Sequence, residues 1–117
     1  MKDNLIQRKS YEFSLRIIRV YRELTEKKKE FVLSKQVLRS GTAIGAIIEE
    51  AIGAQSRKDF TSKIAIAYKE ARETRYWLRL LRDSRYITAE QAESYLDECE
   101  SILRIIGKIQ SSVRKNP

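Results

Sequence analysis

The sequence predicts an all-α protein folded as an antiparallel, up-down-up-down four-helix bundle. Three observations point there. Apolar residues recur at helical spacing in four stretches, the breaks between them are short, and only one proline and four glycines occur in 117 residues. So few helix breakers suit long uninterrupted helices and argue against a sheet protein rich in tight turns. A chain of this length has room for one domain, read as residues 1–117. Helices of roughly 20 to 28 residues, each about 30–40 Å long, pack most simply as neighbours in chain order.

In the first helix Phe13, Ile17, Val20 and Leu24 share one face, and Tyr11, Leu15, Ile18 and Tyr21 widen it. The pattern fades in the charged run from Thr25 to Glu30, which reads as a helix end and connector. The second helix starts at Ser34 as N-cap and carries Val37, Gly41, Ile44, Ile48 and Ala51 on its apolar face. Gly41 and Gly45 inside that helix cost about 1 kcal/mol each relative to alanine. The compensation expected is close approach of another backbone, a packing notch; a ligand-facing notch is the alternative.

The third helix has the clearest pattern. Ser56 caps it with Asp59 three residues on, and Phe60, Ile64, Ala67, Ala71, Thr74, Leu78 and Leu81 alternate by four and three. The fourth opens with Thr88 and Gln91 at capping-box spacing and continues through Ala92, Leu96, Cys99, Leu103 and Ile106, with Tyr95, Ile102, Ile109 and Val113 alongside. Its acidic residues crowd the start and its basic residues the end, which complements the helix dipole and explains much of its charge without a partner.

The formal net charge is +8, with a pI near 9.7. Residues 1–30 carry net +4 and residues 57–85 net +5, whereas 31–56 are neutral and 86–117 carry −1. A basic excess confined to two segments points to a polyanion. One position after the last five core residues of the third helix stand Tyr68, Arg72, Arg75, Arg79 and Arg82. Arginine can fork onto phosphate and stack on bases, so this stripe reads as a nucleic-acid track, with Arg16 and Arg19 of the first helix joining it. The alternative is a solvated face whose arginines pair with Glu70, Glu73 or a neighbouring helix. One position before each core residue lie Lys63, Ile66, Glu70, Glu73, Trp77 and Leu80. Ile66, Trp77 and Leu80 there suggest an oligomer interface, with a broad intramolecular core as the alternative.

Catalysis finds little support. Without histidine there is no ordinary triad, no proton shuttle near neutral pH and no Glu-x-x-His metal site. Cys99, the lone cysteine, excludes an intramolecular disulfide, fits a reducing cytoplasm and falls on an apolar face where a buried, inert thiol is expected. Glu49, Glu50, Glu70 and Glu73 are expected in ion pairs with Arg39 or Arg75 rather than around a metal. No glycine-rich phosphate loop occurs, no apolar run is long enough to cross a bilayer, and MKDNLIQRKS lacks the apolar core of a secretory signal. The expectation is a cytoplasmic protein with no catalytic, cofactor or metal site, no small-molecule substrate and no membrane partner.

The run from Leu33 to Thr42, followed by Ile44-Gly45-Ala46 and Glu49-Glu50-Ala51, resembles the signature of the bacterial four-helix proteins encoded within intervening sequences of 23S ribosomal RNA genes. Ser56 to Phe60, Ile66 to Leu78 and the opening Lys9 to Phe13 resemble the same family's third and first helices. The resemblance covers nearly the whole chain in matching order. It implies a bundle that assembles as a ring, usually a homopentamer. Relatives include accessory proteins of diversity-generating retroelements, basic pentamers that bind a reverse transcriptase and nucleic acid; for most members no activity is established. This chain departs from the pattern at Ile47, where the family tends to have asparagine, and at Ala43, where serine is common. The functional expectation is a non-enzymatic, oligomeric bundle that binds nucleic acid, RNA ahead of DNA. The competing expectation is a protein-interaction scaffold that docks a nucleic-acid enzyme such as a reverse transcriptase.

Overall fold

The computed structural model describes residues 4–115, so residues 1–3 and 116–117 of the expected 1–117 domain lie outside it. Four helices follow in order: α1 (Leu5–Glu26), α2 (Leu33–Ile52), α3 (Arg57–Asp83) and α4 (Ala89–Lys115). No strand occurs among the described residues. Side-chain pairs fix the directions, because in each seam one partner's number falls as the other's rises. Gln7 meets Glu49 and Ile17 meets Gly41 between α1 and α2. Lys63 meets Glu50 and Thr74 meets Ser40 between α2 and α3. Arg57 meets Val113 and Arg75 meets Glu100 between α3 and α4. Arg16 with Glu98 and Glu23 with Gln91 close the square between α1 and α4. All four seams are therefore antiparallel. The diagonal pairs, α1 with α3 and α2 with α4, bring no Cα atoms within 8 Å of each other and meet only through the shared core, and the bundle measures 47 × 23 × 20 Å.

Each helix begins where a side chain satisfies its free N–H groups. Asn4 caps α1 by accepting from the Gln7 N–H at 3.0 Å. Ser56 accepts from Asp59 N–H at 3.0 Å, and Thr88 and Gln91 form the full reciprocal box at 2.9 and 3.0 Å. The start of α2 differs from expectation. Ser34 is not the cap; it is buried inside the first turn and donates its hydroxyl to the Glu30 carbonyl at 2.8 Å. The Glu30 carboxylate does the capping, accepting from the N–H groups of Val32, Leu33 and Ser34. Burial pulls its carboxyl upward, but the three donors outweigh burial and hold it below the ordinary value.

The α2 and α3 apolar faces are buried as the periodicity predicts, with Phe60 half-buried at the margin. On α1 the buried face reaches back to Ile6 and Ser10, while Tyr11 and Leu15 stand out at 64% and 46% exposure. On α4 Ala92, Cys99, Leu103 and Ile106 are buried as expected, Ile102 joins them fully inside, and Leu96 is only half-buried. The glycine notch is real. A Cβ at Gly41 would lie 2.8 Å from both Cγ atoms of Ile17, and one at Gly45 would lie 3.2 Å from the Ser10 carbonyl oxygen.

Candidate nucleic-acid interface

The α3 flank one position after its core faces α4, as the 2.8 Å ion pair from Arg75 to Glu100 shows. The flank one position before the core faces α2, where Arg39 reaches both Glu70, at 3.2 Å, and Glu73. This geometry divides the arginine stripe. Tyr68 is half-buried against the core, Arg75 is held by Glu100, and Arg82 is held by Asp83 at 2.8 Å. Arg72 and Arg79 are exposed and make no ion pair among the described residues. The most solvated ridge, exposed throughout except at the half-buried Ala65, lies two positions behind the core rather than one ahead. It runs Lys58, Ser62, Ala65, Lys69, Arg72, Tyr76, Arg79 and Asp83, at alternating spacings of four and three. Lys69 and Tyr76 thus belong with Arg72 and Arg79, a grouping that a shift of two positions in the sequence would have revealed.

The carboxylates beside this ridge already hold cations. Glu73 is held below its ordinary carboxylate range foremost by the Trp77 indole N–H, with Arg39 adding to it and burial opposing. Arg75 is raised above its ordinary value chiefly by its bond to Glu100. So Glu70, Glu73 and Glu100 do not neutralise Lys69, Arg72 or Arg79. Only Asp83, at the C-terminal end of the ridge, senses Arg79.

Arg16 and Arg19 sit elsewhere. Arg16 bonds Glu98 and Ser94 of α4, and its guanidinium lies 4.2 Å from the centre of the Tyr95 ring. Arg19 is exposed, but α1 is diagonal to α3 and α4 stands beside both, with exposed Glu90, Glu93 and Asp97. The two arginine sets therefore do not form one surface within a chain. Of the residues expected at an oligomer interface, Ile66 is 41% exposed, whereas Trp77 and Leu80 are half-buried. Trp77 has an intramolecular role, donating to Glu73 at 2.9 Å.

Cys99 is fully buried, its Sγ 3.3 Å from the Ala71 carbonyl oxygen, and burial foremost pushes its thiol up to about 12. Among the described residues no group of three His, Cys, Asp or Glu is placed to hold a metal ion, and no helix is long and apolar enough to cross a membrane.

Comparison with known proteins gives this architecture a family. Residues 2–108 match the family model described as 23S rRNA-intervening sequence protein. The chain belongs to that family. A similar solved structure is a protein of unknown function from the S23 ribosomal protein family of Bacteroides thetaiotaomicron, 52% identical, with a TM-score of 0.92 over 95% of this chain and 99% of that one. No curated protein is detectably similar. Neither the 23S rRNA-intervening sequence family nor this relative points to a catalytic family.

Proposed function

We propose that this 23S rRNA-intervening sequence family member is a non-enzymatic bundle that binds nucleic acid, RNA ahead of DNA, through the outer face of α3. The observation that carries this reading is the ridge of Lys69, Arg72 and Arg79, exposed and without ion pairs among the described residues while the adjacent carboxylates hold Arg39 and Arg75. Arginines at such helical spacing repel one another mildly, and a phosphate chain relieves that repulsion. Self-assembly into a ring, five copies by the family resemblance, multiplies a weak contact through effective concentration.

A second reading is a scaffold that docks a nucleic-acid enzyme. It is favoured by an open groove of about 350 Å³ between α1 and α2, where Tyr11, Leu15, Ile18 and Ala46 present apolar surface. Binding of purified protein to a structured ribosomal RNA fragment and to duplex DNA, followed by anisotropy, separates the two. The nucleic-acid reading expects binding to naked RNA that Arg72→Glu with Arg79→Glu abolishes. Absence of binding at low salt sinks it and leaves the scaffold.

A further inference from the structure

We propose that Tyr76 is a stacking platform for an unpaired base, so that the α3 face takes single-stranded or looped RNA rather than continuous duplex. This deepens the nucleic-acid reading and rests on it. Tyr76 is 51% exposed and stands between Arg72 and Arg79 on the cationic ridge. Among the described residues its hydroxyl makes no hydrogen bond, so the phenol is not anchored through its polar end. The ring is held by its flank instead. It packs edge-to-face on Trp77, with centroids 5.1 Å apart and planes at 70°. Trp77 is fixed by its 2.9 Å bond to Glu73, and Glu73 by Arg39 of α2.

An exposed aromatic ring braced through three further side chains loses little freedom when a flat partner settles on it. The flanking arginines lie about 10 Å apart along the helix axis, one on each side of the ring. They are placed for phosphates on either side of a stacked base. A continuous duplex keeps its base faces inside the stack and offers Tyr76 nothing, whereas an unpaired base has a free face that stacks on aromatic rings whatever its sequence. The ridge carries no other exposed aromatic residue.

The test uses a fluorescein-labelled oligoadenylate RNA and an RNA duplex of equal length, titrated by anisotropy against the full chain and three variants. Trp77 is the only tryptophan and touches the Tyr76 ring, so its emission reports directly on a base arriving there. The proposal expects oligoadenylate, and not the duplex, to quench Trp77 emission. It expects Tyr76→Ala to weaken oligoadenylate binding about five- to a hundredfold with duplex binding unchanged, and Tyr76→Phe to retain binding. If Arg72→Glu with Arg79→Glu abolishes binding but Tyr76→Ala changes nothing, the platform is wrong and the phosphate-binding face stands. If charge reversal leaves binding intact, the α3 face itself is wrong and the platform falls with it.

Discussion

The indole N–H of Trp77 and the guanidinium of Arg39 converge on one carboxylate oxygen, Oε2 of Glu73. The junction ties α2 to α3 and braces the aromatic pair on the outer face. It also explains why a tryptophan lies off the main α3 core stripe without requiring a second subunit to cover it.

That junction responds to acid. The Glu73 carboxyl titrates below its unfolded value of 4.5, so its contribution is complete above that pH and is lost as pH falls through the lower folded value. Glu30 at the α2 cap behaves the same way. Glu73→Gln should flatten the fall in thermal stability below about pH 4 that wild type shows. Because the Glu73 side chain is 37% exposed, solvent screening limits the loss at neutral pH to about 1 kcal/mol or less, measured by urea unfolding.

The glycine notch makes a second prediction. Alanine gains about 1 kcal/mol over glycine in a helix, but at position 41 its Cβ meets the stiff γ-branch of the fully buried Ile17 at 2.8 Å. Overpacking typically costs 1–3 kcal/mol and wins. Gly41→Ala should lower stability by roughly 1–2 kcal/mol, seen as an earlier urea midpoint.

Cys99 tests the interior on the alkaline side. Its thiol is raised from 9.0 to about 12, mainly by burial with Glu100 adding, so the stabilising difference is intact below pH 9.0 and is lost as pH climbs toward 12. Wild type should lose stability through that window more steeply than Cys99→Ala. In the native protein the thiol should not react with DTNB at neutral pH until denaturant is added.

Arg75 and Arg72, three residues apart, should answer differently to charge reversal. Arg75→Glu sets two carboxylates against each other at the α3–α4 seam and should cost about 1 kcal/mol, the side chains being 30% and 43% exposed. Arg72→Glu touches no partner and should leave the thermal midpoint nearly unchanged. Equal losses in a melting experiment would contradict the division of the stripe.

The α3 core from Ile64 to Leu81 was legible because alternation by four and three over six intervals, starting at Phe60, admits one helical face. The caps at Ser56 and Thr88 were legible because their partners lie three residues away. The α2 cap was not, since Glu30 reaches its N–H groups from a connector that turns through the positive φ of Lys29, a conformation no periodicity marks. The margin of the α4 face was blurred by Leu96 and Ile102, both apolar and on adjoining stripes. The exposed ridge of α3 was not legible as such for a different reason. A sequence reveals which side of a helix is apolar but not which neighbour stands left or right of it. That handedness is what gives Arg75 to Glu100, gives Glu73 to Arg39, and leaves Arg72, Tyr76 and Arg79 to solvent.

The most direct test of the α3 face is the salt dependence of RNA binding. Each phosphate neutralised on a single strand contributes about −0.7 to the slope of log K against log salt. Three free cations predict a slope of about −2 per chain, and Arg72→Gln with Arg79→Gln should make it shallower by about 1.4. A slope unchanged by those two substitutions would contradict the account and place the RNA contact elsewhere on the bundle.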